Sequence, residues 1–188
     1  MTESPNPNII DADTLTGEMH PIRRAVLSIG SNLGDRRVNL QAALDSLADT
    51  PEVWVTAVSP VYETEPVNSP PEAKDYLNAV VLLDTTLSAP TMLERALAIE
   101  DAYGRERDVF HAPRTLDVDL IVLGDRLADD EHLKLPHPRA AHRAFVLAPW
   151  HDVEPDAEIP GAGSIASLLE RIGTAGITRR EDIELEVQ

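Results

Sequence analysis

The sequence predicts an α+β fold of the ferredoxin-like class, an antiparallel sheet with helices packed on one side of it. Three observations predict it. The elements run strand, helix, strand, strand, helix, strand, and then shorter helical pieces. That alternation is too irregular for a doubly wound parallel sheet. The chain has 188 residues, 43% of them hydrophobic, which suffices for one domain with a sizeable core.

Residues 1–21 are polar, rich in Pro, Asn and acids, and without periodicity. They are expected to form a flexible extension, leaving residues 22–188 as a single domain. Arg24 to Ile29 is apolar enough for a first strand, and Gly30-Ser31-Asn32-Leu33-Gly34-Asp35 reads as the turn that ends it. Leu40, Ala43, Leu44 and Leu47 recur at helical spacing, with Asp35 as N-cap and Asp49-Thr50-Pro51 as the stop. Val53–Val58 and Val61–Thr64 have strand composition, Glu65 to Pro71 is a loop, and Tyr76–Leu83 is the next strand. Ser88 to Tyr103 reads as a helix, capped by Ser88, with Pro90 in its first turn and Gly104 as its stop. Leu116–Leu123 is a strand closed by a Gly124-Asp125 turn. Pro138–Leu147 and Ser164–Ile172 are expected to be short helices, and Ile177–Val187 a strand-like tail.

The formal charge of −17 argues against nucleic-acid and anionic-membrane partners, which are normally met by a basic face. The charge is unevenly placed. Residues 104–143 hold seven Lys or Arg against eight Asp or Glu, so the other 148 residues carry −16. That segment suits a small polyanion such as an ATP–Mg²⁺ complex. With no cysteine, no evident signal peptide and no apolar run of about 20 residues, the expected location is cytoplasmic.

Chemistry concentrates between Gly104 and Asp119. Residues two apart on a strand share a face, so Asp117 and Asp119 lie side by side in an otherwise apolar segment. Such carboxylates repel unless a cation separates them, and Mg²⁺ is the first choice for all-oxygen ligands. Arg105, Arg107 and Arg114 add planar donors of the kind that grip phosphate oxygens in pairs. Taken alone, Asp-x-Asp is equally compatible with a solvated strand edge or with salt bridges. Tyr76 and Asn78 also share a face, as a ligand-binding plate and carboxamide or as an ordinary edge pair. His132, His137 and His142 are spaced by five and interrupted by Pro136 and Pro138, which rules against a helical zinc site.

The run Pro113-Arg114-Thr115-Leu116-Asp117-Val118-Asp119-Leu120-Ile121 closely resembles the signature of the 6-hydroxymethyl-7,8-dihydropterin pyrophosphokinases of folate biosynthesis. Gly30-Ser31-Asn32-Leu33 after the first strand is similar to the same family, and the resemblance runs from about Ala25 to about Pro149. It implies transfer of pyrophosphate from ATP to the pterin hydroxymethyl group, with release of AMP. By resemblance, Asp117 and Asp119 hold two Mg²⁺ ions and Arg105, Arg107, Arg114 and Arg143 meet the polyphosphate, with Arg105 and Arg114 catalytic. Glu100 and His137 fall at nucleotide positions. Tyr76 and Phe145 would flank the pterin ring, Asn78 would read its polar edge, and the backbone near Thr64 and Val67 would complete the pocket. A monomer is expected.

The chain departs from that pattern at Phe110, His111 and Ala112, where the family usually has a basic residue, an aromatic and Gly in a mobile lid. The change motivates a competing expectation, an inactive relative serving as a nucleotide-binding or interaction module. Retention of both aspartates, Arg114, Tyr76, Asn78 and Phe145 speaks against it.

Overall fold

The computed structural model describes residues 20–65, 75–103 and 116–188. In chain order its elements are β1 (Arg23–Ser31), α1 (Arg36–Ala48), β2 (Val53–Val58), β3 (Val61–Thr64), β4 (Tyr76–Thr85), α2 (Ala89–Ala102) and β5 (Asp117–Leu123). A small hairpin of β6 (Ala128–Asp129) and β7 (Lys134–Leu135) follows, then a 3-10 turn (Ala140–His142) and α3 (Ala144–Val153). The chain ends with β8 (Glu158–Ile159), β9 (Gly163–Ser164), α4 (Ile165–Ile172) and β10 (Ile177–Arg180).

The main sheet is antiparallel throughout, in the order β10-β3-β4-β1-β5. Ten-residue β4 is long enough to pair with two short strands along one side, β2 at its C-terminal half and β3 at its N-terminal half. Between those strands Ser59 keeps the ladder closed. Its N–H donates to the Val80 carbonyl at 2.9 Å, and its Oγ accepts from the Val80 N–H at 2.8 Å. Pro60, which has no N–H to give, follows at the break.

Helices cover both faces of the sheet, which corrects the one-sided packing expected from sequence. Ala25, Leu27, Ile29, Val81 and Leu83 pack with Leu40 and Leu44 of α1 and with Met92 and Ala96 of α2. Val26, Val80, Leu82 and Ile121 face the other way, against Val146, Leu147 and Trp150 of α3 and Ile165 and Leu168 of α4. The physical reason is the near-continuous apolar run in β1 and β4. Such strands present apolar side chains on both faces and need a cover on each.

The N-caps Asp35 and Ser88 are those read from sequence, and Ser164 caps the last helix in the same way. Asp35, Ser88 and Ser164 accept from the N–H groups of Val38, Thr91 and Ser167, so each satisfies a donor that the helix itself cannot. Three boundaries differ. β1 continues through Gly30 and Ser31, residues read from sequence as turn. The helix expected over 138–147 is a 3-10 turn followed by α3, because Arg143 between them is extended (φ −116°, ψ 106°). The C-terminal tail is strand only to Arg180. Beyond it, Arg37 and Gln41 of α1 donate to the carbonyls of Glu184 and Glu186 at 3.1 and 2.8 Å, and Leu185 is buried in the core.

Candidate functional site

The sheet face beneath α3 and α4 is apolar only at one end. Moving along β1 from Val26, the same face carries Ser28 and then Gly30. On β4 it passes from Val80 to Asn78 and Tyr76, and on β5 from Ile121 to Asp119 and Asp117. Strand register aligns these residues: Ser28 is opposite Asp119, and Gly30 lies between Asn78 and Asp117. Thr64 extends the row on β3, opposite Tyr76. The start of α3 overhangs this polar end with Arg143 and Phe145, enclosing a cavity of about 320 Å³.

Gly30 is a packing requirement of the cavity wall. A Cβ there would lie 2.8 Å from Asn78 Oδ1, closer than real Cβ contacts come. Asn78 is buried, and its Nδ2 donates to Thr64 Oγ1 at 3.0 Å, which fixes the carboxamide in the wall. The Arg143 guanidinium carbon stands 5.3 Å from the centroid of the Phe145 ring, within cation–π range. Burial lowers the Arg143 pKa, Asp119 pulls it up, Arg139 pushes it down and Asp117 pulls it up. The guanidinium keeps its proton, so a fixed cation faces the two aspartates.

A second cavity, about 340 Å³, lies around the edge of β5. It is bounded by Leu93, Leu97 and Glu100 of α2, by Val118 and Leu120, and by the β6–β7 hairpin with His137. Asp119 lines both cavities. This is possible because β5 ends the main sheet, leaving its outer edge reachable from either face. Glu100 is buried to 2% exposure, and its Oε1 accepts the Val118 N–H at 2.8 Å. That bond ties α2 to the stretch of backbone between the two aspartates.

His137 is held by its backbone N–H, which donates to the Ile121 carbonyl at 2.8 Å. Its Nδ1 accepts from the Arg139 N–H at 3.2 Å, so the neutral ring carries its proton on Nε2. Burial, then Arg143 and Arg139, lowers its pKa from 6.5 to about 4. The unfolded chain therefore binds this proton at higher pH than the folded one. The resulting stability is present above about pH 6.5 and is lost as the pH falls toward about 4. Urea unfolding at pH 7.5 and 5.5 should show a smaller loss of stability on acidification in His137→Gln than in the native chain. An equal loss would contradict the assignment.

The donor set fits Mg²⁺. Two carboxylates offer hard oxygen ligands, and magnesium usually keeps waters and takes its remaining ligands from phosphate. Among the described residues no group of three or more His, Cys, Asp or Glu is arranged to hold a metal ion.

Of the residues expected from sequence, Thr64, Tyr76, Asn78, Asp117, Asp119, Arg143 and Phe145 come together around the first cavity. Glu100 and His137 join Asp119 at the second. Arg105, Arg107, Arg114, Val67 and the altered positions Phe110, His111 and Ala112 lie outside the described residues. Sequence reasoning missed Ser28, Gly30 and Glu65 in the first cavity and Lys134 in the second. For Ser28 and Gly30 the signal was present: small residues two apart at the end of an apolar strand.

Residues 26–155 match the family described as 7,8-dihydro-6-hydroxymethylpterin-pyrophosphokinase (HPPK). A 2-amino-4-hydroxy-6-hydroxymethyldihydropteridine pyrophosphokinase of Pseudomonas aeruginosa is 40% identical over 84% of this chain and 97% of its own. The Mycobacterium tuberculosis protein of the same name is 43% identical over 86% and 89%. Among solved structures, Plasmodium falciparum HPPK-DHPS crystallised with pterin and p-hydroxybenzoate superposes with a TM-score of 0.66 over 87% of this chain, at 16% identity. This chain spans 47% of that one, and the likeness is one of fold.

Proposed function

Because the chain belongs to the 7,8-dihydro-6-hydroxymethylpterin-pyrophosphokinase family, we propose that its first cavity seats the pterin and its second the nucleotide, with Asp119 at their junction. The enzyme is an ATP-dependent diphosphokinase of folate biosynthesis, and the module reading suggested by Phe110, His111 and Ala112 is not favoured. The observation that carries the assignment is that one carboxylate lines both cavities. A group transferred between two substrates must pass such a point.

Tyr76 and Phe145 take the two faces of the pterin, Asn78 reads its polar edge, and the backbone at Thr64 and Val67 closes the pocket. Asp117 and Asp119 hold two Mg²⁺ ions, which when bound neutralise phosphate charge. Arg143 and the segment bearing Arg105, Arg107 and Arg114 grip the polyphosphate, with Arg105 and Arg114 catalytic. His137 offers Nε2–H as a donor to the nucleotide. Glu100 acts through the backbone, holding β5 so that both aspartates keep their aim. The pterin hydroxyl attacks the β-phosphorus in line, a bond forms from that oxygen to phosphorus, the bond to the AMP oxygen breaks, and the hydroxyl proton is released to solvent. The residues contribute positioning and fixed charge rather than covalent chemistry.

Residues 22–188 work as one domain, in the cytoplasm and as a monomer. Among the described residues no helix is long and apolar enough to cross a membrane. The acidic charge of −17 disfavours nucleic-acid and anionic-membrane partners. The test is formation of AMP from ATP and 6-hydroxymethyl-7,8-dihydropterin, matched one to one by pterin diphosphate, lost with EDTA and restored by Mg²⁺. Folded protein that binds ATP but makes no AMP would overturn this reading in favour of the module.

A further inference from the structure

β3 ends at Thr64 and β4 begins at Tyr76, and both of these residues line the first cavity. Arg36, the first residue of α1, bonds to the residue before each of them. Its Nη1 donates to Glu63 Oε2 at 2.9 Å and to the Asp75 carbonyl at 2.7 Å. Glu63 immediately precedes Thr64, and Asp75 immediately precedes Tyr76, and both of those neighbours line the cavity and pair across the strands. One guanidinium therefore holds the two strand ends at a fixed separation.

The clamp is reinforced from the far side. Glu63 Oε2 also accepts from Arg180 Nη1 at 2.9 Å, and Arg180 Nη2 donates to Asp182 at 2.7 Å. Arg36 and Glu63 are both half-buried, with side-chain exposures of 22% and 24%, so their pairing is less screened than that of a surface bridge. Two cations and two carboxylates in one chain leave no net charge, and Glu63 is held from both sides.

We propose that Arg36 is a positioning residue for the pterin, setting the spacing between Thr64, which holds Asn78, and Tyr76. The proposal rests on the assignment of the first cavity to the pterin. It follows that Arg36 acts on pterin affinity and leaves the nucleotide side alone, because none of its bonds reaches α2, β5 or the β6–β7 hairpin.

The experiment measures pterin binding by fluorescence and ATP binding by calorimetry on the full chain with Arg36→Gln, Arg36→Lys, Glu63→Gln and the Arg36→Gln/Glu63→Gln double variant. Arg36→Gln should weaken pterin binding about tenfold, as expected for loss of charge-assisted hydrogen bonds, with ATP affinity changed less than about twofold. Arg36→Lys should recover part of the loss, and the double variant should cost less than the sum of the singles. Equal weakening of both substrates, or a lowered melting temperature with unchanged pterin affinity, would overturn the proposal. Asn78→Ala separates the two layers. If it leaves pterin binding intact, the cavity assignment fails; if it abolishes binding while Arg36→Gln does nothing, only the positioning role fails.

Discussion

Asp119→Ala is expected to lower kcat/KM by about 10³-fold, and Asp117→Ala by about 10²-fold, in a quenched assay of AMP release at saturating Mg²⁺. The magnitude follows from the several kcal/mol of charge stabilisation that a metal-binding carboxylate supports, at about 1.4 kcal/mol per factor of ten. The asymmetry follows from geometry: Asp119 lines both cavities, Asp117 only the first of the two. Asp119 also has the larger effect on Arg143, raising its pKa more than Asp117 does. Removing Asp119 therefore takes a ligand from the junction and leaves Arg143 less balanced. Melting temperatures should change little, since both side chains lie on the partly open face rather than in the core. A variant of either residue retaining activity within tenfold of native would remove it from the proposed metal site.

The pairing of Asp117 with Asp119, and of Tyr76 with Asn78, was legible because a strand leaves no choice about which residues share a face. The N-caps at Asp35 and Ser88 were legible because a short oxygen-bearing side chain before an apolar helical pattern has one good local use. Sequence failed where tertiary context overrides local preference. Gly30 punctuates a chain read in isolation, yet here it sits inside β1 with a partner strand on each side, and the missing Cβ makes room for Asn78. The two-sided packing was encoded in the unbroken apolar runs of β1 and β4, but which helix covers which face depends on long-range contacts. Arg36 gave no signal at all. Its partners Glu63 and Asp75 are 27 and 39 residues away, and nothing local marks a charged residue in the first turn of a helix as part of a binding wall.

Gly30→Val should weaken pterin binding by about 10²-fold, the scale on which a site built around a buried polar reader fails when that reader is displaced. The argument starts from the added Cβ, 2.8 Å from Asn78 Oδ1 and 3.6 Å from the Leu77 carbonyl. The backbone there has little freedom to retreat, since Gly30 is paired with Asn78 on one side and Asp117 on the other. The carboxamide is the part that must move, and moving it breaks its bond to Thr64 Oγ1. Two wall residues then lose their alignment through one substitution. The branched Val adds further bulk, whereas Gly30→Ala introduces the Cβ alone and should have the smaller effect. A double-mutant cycle isolates the cause: in an Asn78→Ala background the clash partner is gone, so Gly30→Ala should cost almost nothing more. Fluorescence titration of pterin, with ATP affinity as the internal control, checks both statements. If Gly30→Ala weakens pterin binding as much without the Asn78 carboxamide as with it, the glycine serves the sheet and not the wall of the site.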